Sequence, residues 1–264
     1  MTGSDTISRR EIRKAELGYL LARLAPGSRV LEIGAGSGYQ AALIAAQGHA
    51  VDAVDVQVWD ERQFDVIRYD GASLPFEDAR FDAVFSSNVL EHVVPLDELE
   101  AEIRRVLKPD GFALHVIPSH WWRLWNSLTW YPALPKTIRS ALAHVRAERT
   151  AATPASPLPG AERKPAAPAP RPGWRRYLKW IGTLLASPRH GERGNRFTEF
   201  CHFHPAWWRR HFREAGFELA ECRPAGIYYS GNYLLGPRLP LAARQRLSHL
   251  LGSSTWVYVL RKRD

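Results

Sequence analysis

The stretch VLEIGAGSGYQ, residues 30–40, constrains the fold of this chain more than any other. An apolar run typical of a buried strand is followed at once by Gly34, Gly36 and Gly38. Glycine costs backbone entropy on folding, so three glycines in such a short span need a reason other than packing. A tight turn that lets a ligand lie against bare backbone is such a reason. We therefore predict a strand, a ligand-contacting loop and a helix that begins at Tyr39.

Apolar patterns of strand length and helix length alternate through residues 1–119. Strands are predicted at 29–34, 49–56, 64–70, 81–87 and 112–118, and helices at 8–24, 39–47 and 96–107, the last ended by a turn at 109–111. This alternation predicts an α/β fold with helices on both faces of the sheet. A helix at 204–217 and strands at 218–224 and 255–263 would complete a seven-stranded, mostly parallel sheet in one domain over residues 1–264.

The net charge of +9 is concentrated in residues 120–196, which follow the fifth predicted strand. This segment holds 14 Lys and Arg against 3 Asp and Glu, whereas the remainder of the chain carries a net charge of −2. Seven prolines and seven alanines within residues 151–173 predict a disordered or extended linker. We therefore interpret residues 120–196 as a basic, Trp-rich insertion after strand five.

Two functions for this insertion stay open. Apolar residues recur at helical spacing from Trp121 and again from Trp174, with Arg175, Arg176 and Lys179 off the second stripe. Such helices suit either a lid over an acceptor pocket, which we favour, or the surface of an anionic membrane. A nucleic-acid partner is less favoured, because part of the charge lies in the Pro/Ala linker and no recognised binding motif is present.

Cysteine content and the N-terminal sequence favour a cytoplasmic location. Cys201 and Cys222 are too few for a disulfide framework, and the sequence does not open on a basic region, an apolar run and a cleavage site. No run reaches the roughly 18 apolar residues that a membrane-spanning helix needs. Association with a membrane surface stays open. Cys201, His202 and His204 match no closed zinc-ligand spacing, so we expect no metal site.

The glycine loop also distinguishes between nucleotide cofactors. It reads E-x-G-x-G-x-G, and Tyr39 stands where the dinucleotide fingerprint G-x-G-x-x-G has its last glycine. Tyr39 therefore argues against a nicotinamide-dependent, NAD(P)-linked oxidoreductase, which stays as an alternative function. A non-catalytic membrane-surface protein that retains the nucleotide fold is a third.

The loop resembles motif I of the class I S-adenosylmethionine-dependent methyltransferases, of the type 11-like kind. The segments DGASLPFED, FDAVFSSNVLEHV and VLKPDGF resemble later motifs of that family, in the family's order and spacing. The resemblance implies a Rossmann-like fold, S-adenosylmethionine as cofactor and a methyl-transfer activity. The cofactor-binding residues that it implies are Glu32, Gly34, Ala35, Gly36, Gly38, Asp55, Asp70, Gly71, Ala72 and Asn88.

The same resemblance implies separate roles along the cofactor. Asp55 would hold the ribose hydroxyls, since a carboxylate accepts two hydrogen bonds from a vicinal diol. Asp70 would meet the adenine amino group, with Gly71 and Ala72 lining the ring. Asn88 would pass beneath the methionine portion. Glu32 is left between two roles, contact with the cofactor and ordering of the loop.

His92 is the candidate general base. It is expected one helical turn beyond Asn88, and so facing the same cavity. The competing interpretation, in which Glu91 and His92 pack or cap locally, stays open because a lone histidine is weak grounds for catalysis. A second polar cluster at residues 196–205 would reach over the cofactor from the acceptor side.

Together these patterns favour an enzyme that methylates an oxygen or nitrogen atom, and less readily a carbon atom. The acceptor would be a small molecule or a lipid-linked compound. Positioning supplies much of the rate of such an in-line displacement, whereas an oxygen or nitrogen acceptor also needs a base.

Overall fold

The computed structural model describes residues 3–132, 135, 139, 190–195, 198–230 and 239–263. The described residues up to Trp125 and from His190 onward form one compact unit, and those between 126 and 139 belong to a second. The strands are β1 (Arg29–Ile33), β2 (Ala50–Asp55), β3 (Ile67–Arg68), β4 (Phe81–Ser87), β5 (Leu107–Pro118), β6 (Phe217–Pro224) and β7 (Thr255–Lys262).

The helices of the described residues alternate with these strands in the first half of the chain. They are α1 (Gly3–Leu21), α2 (Tyr39–Ala45), α3 (Leu96–Val106), α4 (120–132), α5 (Thr198–His202), α6 (Pro205–Glu214) and α7 (Leu241–Leu251), with a 3-10 turn at Leu90–His92. None of the described helices combines the length and hydrophobicity that crossing a membrane requires.

The strands form one seven-stranded sheet in the order β3-β2-β1-β4-β5-β7-β6. The first five strands pair in parallel, and β7 runs antiparallel between β5 and β6. The prediction of a seven-stranded, mostly parallel, Rossmann-like sheet is therefore confirmed. Because strand order reverses between β1 and β4, the crevice outside their carboxyl ends is where a ligand is expected to bind.

Helices cover both faces because successive residues of each strand point to opposite sides. Val30 packs in one buried cluster with Leu20 of α1 and Ile44 of α2. Leu31, its neighbour in β1, packs in another cluster that includes Ile103 of α3 and Phe212 of α6. A strand that is buried on both faces reads as the continuous apolar run seen in the sequence.

The start of β5 differs from the prediction. The turn expected at 109–111 lies within the strand, because β5 begins at Leu107 and bulges outward. Phe81 pairs with Leu107 and Ala83 with Phe112, so four residues of β5 stand opposite one residue of β4. A Cβ on Gly111 would lie 3.1 Å from the carbonyl oxygens of Phe81 and Asp82, so the bulge has little room for a side chain.

Two other elements also differ from the sequence-based expectation. β3 has two residues, not the seven predicted, and both are exposed at the edge of the sheet. The helix α7 was not predicted, because its apolar residues do not form a clear stripe and Arg244 is among its buried positions.

The predicted insertion is only partly within the described residues. The Pro/Ala linker at 151–173 and the apolar stripe from Trp174 lie outside them, as does Arg196. Residues 120–125 and 190–195 belong to the compact unit that contains the sheet. The bounds of the insertion, 120–196, stay a prediction.

Candidate functional site

A cavity of about 390 Å³ opens at the carboxyl ends of the first four strands. This volume falls within the range of roughly 300–1,000 Å³ that is usual for ligand pockets. Six residues named from the sequence line it: Gly34, Asp55, Asp70, Gly71, Asn88 and His92. Tyr69 and the loop at 93–95 contribute further wall.

The glycine loop forms the side of the cavity next to β1. Gly34 and Gly36 have φ values of 72° and 56°, in the left-handed region that L side chains rarely adopt. A Cβ on Gly34 would lie 2.3 Å from a methyl group of Val89, whereas a Cβ on Gly36 would meet nothing within 4 Å. The Cβ position of Gly36 therefore faces open space, but Gly36 is not among the residues that line the cavity.

Asp55 ends β2 and is hydrogen-bonded to the glycine loop. Its Oδ2 accepts a hydrogen bond of 2.7 Å from the Gly36 amide, and its Oδ1 accepts one of 2.9 Å from the Gln57 amide. These bonds fix the orientation of the carboxylate beside the cavity. An ionised carboxylate has about four acceptor sites, so two remain for a pair of ligand hydroxyl groups.

Asp70 begins the loop after β3. Its Oδ1 accepts hydrogen bonds of 2.9 and 2.7 Å from the amides of Ala72 and Ser73, which lower the pKa of the carboxyl group. Gly71 lines the cavity, but Ala72 is not among the lining residues. Ala72 therefore acts through its amide, which orients Asp70.

Asn88 follows β4 with a φ of 57°, which is uncommon outside glycine. The backbone N–H of Asn88 donates to the carbonyl of Val116, and its side-chain nitrogen donates to Ser87 Oγ at 3.2 Å. The hydroxyl of Tyr229 lies 3.3 Å from Asn88 Oδ1. These contacts from β4, β5 and a distant loop hold Asn88 against the cavity.

A buried carboxylate on α1 supports this arrangement. Glu16 is fully buried and accepts hydrogen bonds from Arg13 at 2.7 Å and Thr255 at 2.8 Å. Tyr229 and Ser87 also lie within hydrogen-bonding distance of its carboxylate. The sequence did not reveal this network, because its members are separated by up to 239 residues.

Glu32 does not line the cavity. It is buried beneath the glycine loop, where desolvation raises its pKa to about 8. A hydrogen bond from the backbone of Ala41, in α2, lowers the pKa of Glu32, and electrostatic interaction with Asp55 raises it further. Of the two roles considered for Glu32, this placement favours ordering of the loop and the start of α2.

The other two loop residues also stand back from the cavity. Ala35 is buried, and its amide donates to the Val54 carbonyl. Gly38 precedes the first turn of α2, and a Cβ there would collide with Phe64 at 2.6 Å.

His92 lines the cavity with Asn88, but through a different local structure from the one expected. A 3-10 turn, not an α-helical turn, separates the two residues. Its Nε2 lies 3.7 Å from Oε1 of the buried Glu91, and its ring contacts that of His190. Burial lowers the pKa of His92, so the neutral imidazole is favoured.

The polar cluster at 196–205 is not part of the cavity wall. Arg196 lies outside the described residues. Glu199 is buried, forms an ion pair of 2.6 Å with Arg123, and accepts hydrogen bonds from the amides of His190 and Gly191. His204 accepts a hydrogen bond from Ala206 at the start of α6, and Cys201 is exposed. The cluster therefore fixes the segment that carries His190.

Residues 31–115 match the family model described as a methyltransferase domain. This segment is a methyltransferase domain of the class I, S-adenosylmethionine-dependent family. The residues of the domain fit that cofactor, because bare backbone at Gly36 and the carboxylate of Asp55 stand side by side at the crevice. The resemblance noted from the motifs is thereby confirmed.

Curated relatives match the same part of the chain. Over 128 residues this chain is 33% identical to a demethylmenaquinone methyltransferase of Corynebacterium urealyticum. The match covers 44% of this chain and 53% of that protein. Over 115 residues it is 30% identical to sterol methyltransferase-like 2 of Botryococcus braunii, covering 38% and 29%. The chain thus spans about half, or less, of the length of these relatives.

Solved structures extend the likeness in fold to most of the chain. A 1,6-didemethyltoxoflavin-N1-methyltransferase of Burkholderia thailandensis, with bound S-adenosylhomocysteine, matches with a TM-score of 0.50 at 18% identity, over 94% of this chain and 77% of that one. A chain of the complex between the Haloferax volcanii Trm112 methyltransferase activator and a methyltransferase matches with a TM-score of 0.52 at 15% identity, over 98% and 96%. At these identities the likeness shows the fold.

Proposed function

We propose that this protein transfers the methyl group of S-adenosylmethionine to an oxygen or nitrogen atom of a small-molecule or lipid-linked acceptor. The observation that carries the proposal is the cavity at the carboxyl ends of the strands, where Gly34, Asp55, Asp70 and Asn88 meet. All four stand at strand ends of the methyltransferase domain.

Each of these groups has a distinct task on the cofactor. Asp55, with two acceptor sites free of its backbone bonds, holds the ribose hydroxyls. Asp70 accepts from the adenine amino group, with Gly71 beside the ring. Asn88 meets the methionine portion, and the open backbone at Gly36 allows close approach.

The bound cofactor supplies an electrophilic methyl group on a positively charged sulfur. What the chain supplies is orientation, exclusion of water and removal of a proton from the acceptor. His92 lines the cavity and is held neutral by burial, so its imidazole has a free electron pair with which to accept that proton.

Calorimetric titration tests the cofactor assignment. S-adenosylhomocysteine is expected to bind the full chain, and Asp55→Ala is expected to weaken that binding by at least about tenfold, since each hydrogen bond to a charged group contributes about 1.5–3 kcal/mol. Asp82→Ala is the matched control, because Asp82 also accepts from a backbone amide, that of Arg29, but at the opposite ends of the strands.

NADH is the competing titrant. Binding of NADH with no binding of S-adenosylhomocysteine would replace the proposed activity with that of an oxidoreductase. If Asp55→Ala and Asp82→Ala lose the same affinity, the loss comes from reduced stability of the fold and not from a lost contact with the ligand.

A lipid-linked acceptor is favoured by two observations. Trp121 and Phe200 are 40% and 38% exposed, and both rings contact His120 in the unit that contains the sheet. Two relatives are named for demethylmenaquinone and sterol substrates. Incubation with methyl-labelled S-adenosylmethionine is expected to label a long-chain quinol more than a water-soluble catechol. The opposite preference would remove the lipid-linked class.

Association with a membrane surface is a separate part of the proposal. Sedimentation of the full chain with anionic vesicles and with neutral vesicles measures it directly. Equal partitioning into both pellets would contradict an electrostatic attachment.

A further inference from the structure

Glu91, His92 and His190 bring three possible metal-ligand atoms together beside the cavity. One ligand atom from each residue lies within 4.8 Å of the other two, and no other group of three such residues occurs in the part of the chain that the structure describes. We propose that these three side chains bind a divalent transition-metal ion, with Zn²⁺ as the ion that best fits the donor set.

Glu91 gives the first reason. Its side chain is 4% exposed, and neither carboxylate oxygen has a hydrogen-bond partner among the described residues. Oε1 lies 3.7 Å from Nε2 of His92 and 4.0 Å from Nε2 of His190, which is too far for a hydrogen bond. Burial raises the pKa of Glu91 to about 8, so a bound cation would take the place of the proton that the buried carboxyl group otherwise holds.

The ligand spacing gives the second reason. In a tetrahedral zinc site with bonds of about 2.0–2.1 Å, neighbouring ligand atoms lie about 3.3 Å apart. The two distances from Glu91, 3.7 and 4.0 Å, need a contraction of less than about 1 Å, and the pair of histidine nitrogens, which lies within 4.8 Å, needs up to about 1.5 Å. Two imidazoles and one carboxylate are the donor set of catalytic zinc sites, which keep a fourth position open for water or substrate. Magnesium, by contrast, prefers oxygen ligands.

The third reason is that His190 is held in place from outside the cluster. Its amide donates to Glu199 Oε1 at 2.7 Å, and its ring lies against the indole of Trp122, with centroids 4.3 Å apart. Of the cations near the cluster, Arg13 is paired with Glu16 and Arg123 with Glu199.

The ion would lie at the edge of the cavity, because His92 also lines it. A role in catalysis rests on the proposed function, whereas metal binding itself does not. With an ion bound, His92 is a ligand and no longer the general base, and an acceptor hydroxyl in the open position would lose its proton to water more readily. Its oxygen would then form the new C–O bond as the C–S bond breaks, and the electron pair of that bond would pass to sulfur.

Titration of ZnCl₂ into chelator-treated full-length chain tests the site, with heat of binding as the readout and no nucleotide present. One ion per chain is expected. Glu91→Gln and His190→Asn are each expected to weaken binding by at least about tenfold, since each removes one of three protein ligands.

His120→Asn is the matched control. The rings of His120 and His204 lie 4.7 Å apart, close to the 4.8 Å between His92 and His190, but that pair does not belong to a three-residue cluster in the described chain. His120→Asn is expected to bind Zn²⁺ as the wild type does. Equal affinity in the wild type and Glu91→Gln, or a loss in His120→Asn alone, would overturn the proposal.

Two further measurements keep the test decisive. S-adenosylhomocysteine affinity is measured on the same samples, so that failure of cofactor binding and failure of metal binding are distinguished. If Glu91→Gln or His190→Asn does not fold, the visible spectrum of the Co²⁺-loaded wild type is measured in place of the titration of that variant. Intense bands of a low-symmetry, nitrogen-ligated ion are expected, and the weak spectrum of aqueous Co²⁺ would overturn the proposal.

Discussion

The two sides of the site are built in different ways. The cofactor side comes from short loops at the ends of β1, β2, β3 and β4, within residues 34–88. The side around His92 draws on Arg123, His190 and Glu199, which are distant in sequence, and two of them, Arg123 and Glu199, are buried as an ion pair. Local loops can be recognised from motifs, whereas the second region exists only through tertiary contacts.

The largest expected effect is a loss of stability from a change near His92 that leaves the cofactor side intact. Glu199→Gln leaves Arg123 charged and buried, so the free energy of unfolding is expected to fall by about 3–5 kcal/mol. S-adenosylhomocysteine affinity is expected to stay unchanged, because neither residue lines the cavity. Denaturant unfolding and calorimetry measure the two quantities.

Arg210→Gln is the control for that prediction. Arg210 and Glu214 form an ion pair of 2.7 Å, similar in length to the 2.6 Å of the buried pair, but both side chains are exposed. Its loss is expected to change stability by less than about 1 kcal/mol. Equal losses in the two variants would show that the buried pair has no special weight.

A second prediction tests whether the two regions unfold together. His115 of β5 is fully buried, with Nδ1 2.8 Å from Ser86 Oγ and its ring stacked on Phe212 of α6. Burial lowers its pKa from 6.5 to about 3, so the folded state holds the neutral ring. The unfolded chain binds the proton more readily, and stability is therefore present above pH 6.5 and lost as the pH falls toward 3.

At pH 5 this residue is expected to cost about 2 kcal/mol of stability relative to pH 7, since each pKa unit corresponds to about 1.4 kcal/mol. The slope of stability against pH is expected to be smaller in His115→Gln than in the wild type. Unfolding curves from tryptophan fluorescence and from far-ultraviolet circular dichroism should coincide at each pH. Separate transitions would mean that the regions unfold independently.

The third prediction isolates ligand contact from backbone strain. Gly36→Ala places a side chain in open space at a φ of 56°, so it is expected to cost about 1–2 kcal/mol of stability and to weaken S-adenosylhomocysteine binding by at least about tenfold. Gly27→Ala has matching strain, with a φ of 72° and open space, but lies before β1 at the far end of the sheet. A similar loss of affinity in both variants would contradict ligand contact at Gly36.

The smallest expected effect concerns a contact that orients Asn88 on the cofactor side. Tyr229→Phe removes the hydroxyl beside Asn88 Oδ1, and cofactor affinity is expected to fall about twofold, or roughly 0.5 kcal/mol. Tyr19→Phe, which loses a bond from its hydroxyl to the Ala225 carbonyl, is expected to leave affinity unchanged. Calorimetry that shows no difference between the two would remove Tyr229 from the positioning of Asn88.

The sequence predicted most of the fold where local pattern and tertiary packing agree. β4 has the predicted bounds because its apolar run is buried on both faces. The start of β5 was not predicted, because Pro109 and Gly111 have the composition of a turn and the bulge depends on pairing with Phe81. α7 was missed because its burial of Arg244 follows from contacts with distant residues.

The same reasoning applies to the site. Asp55 and Asp70 were named through the resemblance to the methyltransferase motifs, and both lie at the cavity. Glu16 and His190 were missed, since nothing near either residue in the sequence marks the contacts that they make in the fold. Their part in positioning and in metal binding stays a prediction.

The placement of β7 also sets an order of assembly. Among the described strands β6 pairs with β7 alone, and β7 comes last in the chain. On the ribosome, the nucleotide-binding strands are all made by residue 118, well before β7 can join β5 to β6. A nascent chain would therefore contain its complete glycine loop before β6 gains a neighbour, and a chain cut short before Thr255 would leave β6 without its pairing to β7.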